Sequence, residues 1–327
     1  NYNFVENIIA QIATLIRCGI EVILVSSGAI AGGMHVLKFN SRPKDLSSLQ
    51  ALAAVGQHFL MSQYRHFFIR EKLECAQILL TWEDFDSRKR YLNAKNTILT
   101  LLKLGSIPII NENDTVSTDE IKFGDNDRLS ALVSNLVGAD FLIILSDIDG
   151  LLDKDKKVIQ VIDDITPQIK ALACPTNKKT CVGGMITKIE AAKISMDSGI
   201  PCVIANGRTK DIILSVIKEP EKYGTLFFPK KGLAARERWI AFGTKAKGKI
   251  LVDDGARRAL SNKKSLLSVG VIDLEGNFEI GDIVSVVDEQ DYEFARGKVG
   301  LSSKQLDKVK GSRHDKEVIH RDNIVIL

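Results

Sequence analysis

Two short polar segments contain most of the side chains that could carry chemistry in this 327-residue sequence. Residues 111–114 and 125–127 together supply seven carboxylate or amide groups: Asn111, Glu112, Asn113, Asp114, Asp125, Asn126 and Asp127. The strand-like run 106–110 leads into the first segment, and the helix-like run 128–137 follows the second. Acidic side chains that directly follow a buried strand lie where open α/β sheets bind their ligands. This pattern predicts a site for an amine, a metal ion or both.

Two glycine-containing segments are suited to binding an anion. Residues 25–33 read Val-Ser-Ser-Gly-Ala-Ile-Ala-Gly-Gly and connect a strand to a helix. Residues 182–188 read Val-Gly-Gly-Met-Ile-Thr-Lys; they begin another helix and add a cation, Lys188. Small residues let a ligand approach the backbone, and free N–H groups at a helix start favour phosphate oxygens. Neither segment is a P-loop, and each alone is also compatible with an ordinary turn before a helix.

A further segment, residues 145–151, places Ser146 and Asp147 directly after a buried strand. A nucleotide could bind at such a strand end, although an Asp-Gly turn at this position needs no ligand. The acid-rich pair and these three segments would lie at strand ends of one sheet. That set suits phosphoryl transfer, in which catalysis consists mainly of positioning and charge neutralisation.

The elements that must position these segments alternate along the first two thirds of the sequence. Apolar runs typical of buried strands occupy residues 22–25, 76–80, 107–110, 141–145 and 202–205. Runs with helical periodicity occupy residues 5–18, 48–71, 87–104, 128–136 and 187–198. Near-continuous apolar strands that alternate with helices predict an α/β fold, an αβα sandwich around a mainly parallel open sheet.

The sequence changes character after residue 229. We predict an α/β domain over residues 1–229, a basic linker over residues 230–247, and a small β-barrel-like domain over residues 248–327. The last domain consists of short strand-like runs between Gly, Asn and Asp turns. The first domain opens directly in a helix pattern. We therefore expect its N-terminal strand, with a ligand-binding loop, to precede Asn1 in the native chain.

Charge and composition argue against several classes of protein. Residues 1–229 hold 26 basic and 26 acidic side chains, and residues 250–327 hold 12 basic and 14 acidic ones. The net charge of +4 therefore comes from the connector, residues 230–249, and RNA binding is not expected. No apolar run is long enough to span a membrane, and no signal peptide is visible. Five cysteines without C-x-x-C spacing favour free thiols in a reducing cytoplasm.

In their order along the chain, these motifs resemble the amino-acid kinase superfamily and, within it, the glutamate 5-kinase family. The resemblance is carried by residues 25–31, 51–57, 91–94, 110–114, 123–127 and 183–188. Residues 248–256 and the stretch that ends at residues 318–322 are similar to the PUA domain that many of these kinases append. The pairing of Asn-Glu-Asn-Asp with Gly-Asp-Asn-Asp is specific, whereas the Gly-Gly-Met stretch is shared more loosely with related kinases.

The resemblance implies a role for each candidate residue. Glutamate would be bound by Ser27, Asp114 and Asn126. The catalytic residues would be Lys188, Asp127 and Asp125, with Lys188 steadying the transferred phosphoryl group. ATP would be bound by Ser146, Asp147, Val182, Gly183, Gly184, Met185, Ile186, Thr187 and Lys188. No protein ligand to a metal ion is assigned.

The resemblance also implies an activity and its cofactors. The chain would be a transferase that uses ATP and Mg²⁺ to phosphorylate the γ-carboxylate of L-glutamate, the first step of proline biosynthesis. A homo-oligomer, dimer or tetramer, and feedback inhibition by proline are further expectations. A carboxyl of this kind has a pKa of about 4.3 and is ionised at neutral pH. The acceptor therefore needs no general base, which agrees with the absence of a catalytic-histidine pattern.

Other interpretations stay open on the sequence alone. A sister kinase that acts on aspartate, acetylglutamate or UMP would share the fold, because spacing does not reveal pocket specificity. An inactive, regulatory kinase fold would follow if Asn1 were the true start. An RNA-binding protein is the alternative from another class, since PUA domains often bind RNA.

Overall fold

The computed structural model describes residues 2–116, 126–173, 184–229, 237, 240–241 and 246–326. The chain forms two compact units. The first comprises Asn1–Asp84 and Arg88–Gly232, and the second comprises Phe85–Ser87 and Leu233–Leu327. Among the described residues, no helix has both the length and the apolar character needed to cross a membrane.

The first unit contains two groups of paired strands. The strands are β1 Leu24–Val25, β2 Glu74–Leu80, β3 Ser106–Glu112, β4 Leu142–Ser146, β5 Val161–Ile162, β6 Cys202–Asn206 and β7 Thr225–Phe227. One group has the order β1-β3-β2 and the other β4-β6-β7-β5. Within each group the neighbours are parallel, except for the antiparallel pair β6 and β7. The prediction of a mainly parallel sheet is confirmed.

Helices cover both faces of these strands. They are α1 Tyr2–Arg17, α2 Ala29–Val36, α3 Leu46–Arg70, α4 Trp82–Asp86, α5 Arg88–Lys103, α6 Asn126–Val137, α7 Pro167–Leu172, α8 Met185–Asp197 and α9 Ile212–Lys218. Alternate residues of β6 belong to different apolar clusters. Val203 and Ala205 pack in the cluster that contains residues of α1, α3 and α9, whereas Cys202 and Ile204 pack with residues of α8. Because successive side chains of a strand point to opposite faces, the unit is a sandwich.

Close contact between α2 and α3 explains why glycine occupies two positions in these helices. A Cβ on Gly33 would lie 1.9 Å from the carbonyl oxygen of Leu52, and one on Gly56 would lie 1.7 Å from that of Ala29. The two helices therefore meet backbone to backbone. The small residues near the end of segment 25–33 thus serve helix packing, whereas the sequence interpretation assigned them to ligand approach.

The second unit is built on one mixed sheet. Its strands are β8 Gly248–Val252, β9 Val271–Gly276, β10 Ile283–Val287, β11 Glu293–Lys298 and β12 Ile324–Ile326, in the order β12-β11-β10-β8-β9. Two helices, α10 Asp254–Ser261 and α11 Ser303–Val309, accompany the sheet. β9 begins at Val271, directly after a 3₁₀ turn over residues 268–270.

Candidate active site

The strand register of the first unit brings polar side chains together at one end of β1 and β3. Val25 pairs with Ile110, and the Ser26 N–H donates to the carbonyl oxygen of Ile110 at 2.8 Å. The next residue along β3 is Asn111, which is only 2% exposed. Parallel pairing therefore places the end of β1 beside the polar segment that follows β3, as carboxyl-end ligand sites in such folds require.

A chain of amide side chains connects this strand end to two helices. Asn126, at the start of α6, donates through Nδ2 to the Ser26 carbonyl oxygen at 2.6 Å and to Asn111 Oδ1 at 3.0 Å. Asn111 Nδ2 donates to Gln57 Oε1 on α3 at 2.8 Å. Gln57 Nε2 donates in turn to Gln77 Oε1 on β2 at 3.2 Å. We call Asn126, Asn111, Gln57 and Gln77 the amide chain.

Ser27 follows a firmly held residue. The Ser26 hydroxyl lies 2.8 Å from the hydroxyl of Tyr64 on α3, and burial raises the pKa of Tyr64. Gly28 then adopts φ 101° at the start of α2, a conformation that L side chains rarely adopt. Ser27 itself is exposed, so its side chain is accessible beside the buried hydrogen bonds.

Asp114 lies two residues beyond β3 and is partly buried. Burial raises the pKa of its carboxyl, and the positive charge of Arg42 partly opposes that rise. Partial removal of an anion from water makes a positively charged ligand an effective partner for it. Asp114 is thus suited to bind an ammonium group.

An ion pair joins α6 to the start of α8. Lys188 Nζ lies 2.7 Å from Asp127 Oδ2, and Thr187 Oγ1 donates to the same oxygen at 3.0 Å. The Lys188 and Asp127 side chains are 14% and 22% exposed. Gly184 precedes α8 with φ 78° and has open space where a side chain would lie. A cation held at a helix start can stabilise phosphate charge.

The ends of β4 and β6 form a second polar edge. Ser146 pairs with Asn206 in the parallel register, and the Ser146 hydroxyl lies 3.4 Å from Asp147 Oδ1. Asn206 Nδ2 donates to Asp149 Oδ1 at 2.8 Å. The turn that follows β4 is fixed at Gly150, where a Cβ would lie 2.6 Å from the Thr225 hydroxyl. This exposed edge could accommodate the base and sugar of a nucleotide.

Comparison with known proteins identifies the family. The pattern described as "Amino acid kinase family" matches residues 2–206, and the PUA domain pattern matches residues 248–321. The chain belongs to the amino acid kinase family. It is 46% identical to the glutamate 5-kinase of Thermoanaerobacter sp. (strain X514) and 49% identical to that of Caldanaerobacter subterraneus subsp. tengcongensis. Both alignments cover 100% of this chain and 93% of the relative.

A relative from a different source agrees with this result. The glutamate 5-kinase of Methanosarcina barkeri is 44% identical over 99% of this chain and 89% of that protein. Within the amino acid kinase family, the chain therefore belongs with the glutamate 5-kinases. The resemblance inferred from the sequence motifs is confirmed at the level of the family and of both of its domains.

Several candidate residues of this kinase-family chain lie close together in the structure. The amide chain includes Asn126 and lies beside Ser27, whereas Asp127 and Lys188 form the ion pair. Met185 and Ile186 lie in the first turn of α8, before Thr187 and Lys188. Three further candidates lie outside the described residues: Asp125, Val182 and Gly183.

Sequence reasoning missed residues that have no chemical motif of their own. Gln57 is 8% exposed within α3, and an amide directly after the apolar run 51–56 was the available signal. Tyr64 lies two turns further along the same face of α3, and its hydroxyl contacts that of Ser26. Asn206 directly follows a predicted strand, as Ser146 does, and that parallel could have been noticed. Arg42 lies in a connecting segment and left no signal.

The described residues offer no resident metal site. Among them, no group of three or more His, Cys, Asp or Glu side chains is placed to hold a metal ion. The Asp127 carboxylate already accepts hydrogen bonds from Lys188 and Thr187. Mg²⁺ retains several waters and commonly binds through substrate phosphates and one or two carboxylates.

Proposed function

We propose that this chain transfers the γ-phosphoryl group of ATP to the γ-carboxylate of L-glutamate and forms L-glutamyl 5-phosphate for proline biosynthesis. One observation carries the proposal. Asn126 and Asp127 are consecutive at the start of α6, yet Asn126 bonds to the strand end of β1 and β3 while Asp127 bonds to Lys188. The start of one helix thus connects the site proposed for the amino acid with the site proposed for the phosphates. A phosphoryl transfer between the two ligands requires such a connection.

The glutamate site would use three residues. Asp114 provides a partly buried carboxylate for the α-ammonium group, in a charge-assisted hydrogen bond. Ser27, just beyond the end of β1, and Asn126, at the start of α6, would orient the substrate. The γ-carboxylate would then face the phosphate side, because the α-amino end is held at the strand end.

The chemical step needs little covalent assistance from the protein. An oxygen of the ionised γ-carboxylate attacks the γ-phosphorus, and the bond from that phosphorus to the β,γ-bridging oxygen breaks. ADP leaves with the bonding electron pair, so no proton has to be removed from the acceptor. Lys188 neutralises charge that develops on the transferred group, and Asp127 holds the ammonium group of Lys188 in position.

The nucleotide would bind along the second polar edge and the start of α8. Ser146 and Asp147 lie at the end of β4, and Gly184–Lys188 forms the start of α8, with Val182 and Gly183 assigned by the family pattern. Mg²⁺ would come with ATP as its phosphate-bound ion and neutralise phosphate charge. Asp125 and Asp127 would organise this region.

The remaining expectations about the whole protein are part of the same proposal. We propose a kinase domain over residues 1–229, a linker over residues 230–247 and a PUA domain over residues 248–327. Proline would act as a feedback inhibitor, and the kinase would work as a dimer or tetramer. The thiols of Cys18, Cys75 and Cys202 are free, which supports a cytoplasmic setting.

The direct test measures ADP release with Mg-ATP and four acceptors: L-glutamate, L-aspartate, N-acetyl-L-glutamate and UMP. We expect turnover with L-glutamate alone and a reduction of that turnover by proline. Turnover with another acceptor would contradict the substrate assignment and favour a sister kinase. No turnover with any acceptor would favour a regulatory protein or an RNA-binding one, and salt-sensitive RNA binding would separate these two.

A further inference from the structure

Ser26 is held by hydrogen bonds to three other elements of the first unit. Its N–H donates to the carbonyl oxygen of Ile110 on β3 at 2.8 Å, and its carbonyl oxygen accepts from Asn126 at the start of α6 at 2.6 Å. Its hydroxyl lies 2.8 Å from that of Tyr64 on α3. Because Ser26 is also 5% exposed, it is a buried anchor for Ser27, the next residue of the chain.

The direction of the bond between the two hydroxyls follows from their protons. Each hydroxyl has a single hydrogen to donate. The Ser26 hydroxyl donates to the carbonyl oxygen of Ser27 at 3.4 Å, so Tyr64 must donate to Ser26 Oγ. Burial raises the pKa of Tyr64, so its phenol retains the proton at neutral pH. The structure therefore contains a short relay of donors, from Tyr64 through Ser26 to the backbone of Ser27.

The turn that Ser26 anchors has little support of its own on the ligand side. Gly28 adopts φ 101° and provides no side-chain cap for α2, and a side chain at Gly28 would meet open space. Glycine has more conformational freedom than any other residue. The position of Ser27, which is exposed, therefore depends on the anchored residue that precedes it.

Tyr64 makes two separable contributions to this region. Its ring packs against the apolar cluster that contains Ile107 and Ile109 of β3, and its hydroxyl contacts Ser26. A phenylalanine at position 64 would keep the ring contacts and lose only the hydroxyl. The polar contact can therefore be removed without the cavity that a larger truncation would leave.

We propose that Tyr64 is a positioning residue for L-glutamate: its hydroxyl, acting through Ser26, holds Ser27 where the substrate binds. The proposal rests on the proposed function and deepens it. A displacement of a substrate-positioning group by about 1 Å can impair a site strongly. The nucleotide would bind at the end of β4 and the start of α8, so the effect of the Tyr64 hydroxyl should be confined to glutamate.

The test is a double-mutant cycle on the two hydroxyls. The wild type, Tyr64→Phe, Ser26→Ala and the double variant are compared by isothermal titration calorimetry, with L-glutamate and Mg-ATP titrated separately so that no turnover occurs. Thermal unfolding shows that each variant is folded. A loss of stability alone does not change the Kd of the folded protein, and ADP release by the wild type is measured in parallel.

Ser195→Ala is the matched control. Ser195 on α8 is 0% exposed, and its hydroxyl donates to the carbonyl oxygen of Ile200 at 2.9 Å. The bond resembles that of Ser26 in burial and length, but it lies at the opposite end of α8 from Lys188. Its removal should lower the temperature of unfolding as Ser26→Ala does, and should leave both Kd values unchanged.

We expect Tyr64→Phe and Ser26→Ala each to raise the Kd for L-glutamate about two- to tenfold, the scale of one hydrogen bond. The Kd for ATP should stay constant. The double variant should resemble the weaker-binding single variant, because both substitutions remove the same bond.

Three results would overturn the proposal: an unchanged Kd for glutamate in Tyr64→Phe, equal increases in the Kd values for glutamate and ATP, or effects that multiply in the double variant. A wild type that binds glutamate without releasing ADP would refute the proposed phosphoryl transfer, while the comparison of Kd values would still decide the role of Tyr64. A wild type that does not bind glutamate would refute both.

Discussion

The two ends of the proposed site are built in different ways. At the amino-acid end, neutral side chains are buried and bonded to one another: Asn111 is 2% exposed and Gln57 is 8% exposed. At the nucleotide end, Ser146, Asp149 and Asn206 lie at an edge where the contacts are exposed. A buried network has its donors and acceptors assigned before a ligand arrives. The first end is therefore suited to specificity, and the second to holding a ligand through many weak contacts.

The ion pair of Lys188 and Asp127 shares one property with each of these two ends. It is charged, as an exposed phosphate site would be, yet both side chains are mostly buried. Water is thus partly excluded from the charge that is to meet the phosphate groups, which strengthens its effect. The comparison predicts that variants at the ion pair impair the chemical step, whereas variants at either end impair the binding of one substrate.

The largest effect is expected at the ion pair. Lys188→Ala removes the cation that we propose stabilises the transferred phosphoryl group, and kcat should fall about 10²- to 10³-fold, the scale for one charge-stabilising donor. Steady-state ADP release at saturating glutamate and ATP measures it. Lys193→Ala is the control, because Lys193 lies on the same helix and pairs with Asp197 at 3.0 Å. Wild-type turnover in Lys188→Ala would remove this residue from the mechanism.

A smaller effect, confined to one substrate, is expected at Asp114. Asp114→Asn removes the anion that would pair with the α-ammonium group, so KM for glutamate should rise about ten- to a hundredfold. KM for ATP should change little, and both constants come from the same ADP-release assay. Equal increases in the two KM values would contradict the division of the site into two ends.

The stability of Asp114→Asn provides the control for this prediction. The pKa of Asp114 is raised in the folded protein, so the folded state binds its proton more tightly than the unfolded state does. The contribution of this carboxyl to stability is then present at acidic pH and is lost as pH rises through the folded pKa. At neutral pH the substitution should therefore leave the free energy of unfolding unchanged or higher.

The sequence predicted the regular elements well because their signals are local. Burial on both faces of β3 and β6 leaves continuous apolar runs, and α6 has clear helical periodicity. Short helices such as α7 were missed, since six residues give too little periodicity. The start of α11 was missed although its capping box, Ser302 with Gln305, is visible in the sequence.

The site was predictable in part for the same reason. Ser27, Asp114, Asn126 and Lys188 stand in recognisable patterns, and Asp127 follows Asn126 directly. The bond between Gln57 and Asn111 joins residues 54 positions apart, and no local pattern specifies such a pair. Only the packing of α3 against the strands brings them together.

A modest pH effect should distinguish the two ends further. Acidification protonates Asp114 at a higher pH than an ordinary aspartate, whose pKa is about 3.9, because burial raises the pKa of Asp114. The kcat/KM for glutamate should therefore begin to fall at that higher pH, since this parameter reports the free enzyme. In Asp114→Asn, the part of the decline in kcat/KM that comes from protonation of Asp114 should be absent. Only the part caused by protonation of the substrate carboxyl should remain. Identical acid profiles would exclude Asp114 from ammonium binding.

The smallest effect is expected at the nucleotide end. Asn206→Ala removes two hydrogen bonds, from its Nδ2 to Asp149 at 2.8 Å and from the Arg208 N–H to its Oδ1 at 2.9 Å. These bonds are exposed, and each contributes little, so KM for ATP should rise about two- to fivefold with kcat and KM for glutamate nearly constant. Asn262→Ala, which removes an exposed bond to the Arg258 carbonyl oxygen, is the control. A loss as large as that of Asp114→Asn would mean that this edge is as firmly organised as the amino-acid end, and the contrast between the two ends would not hold.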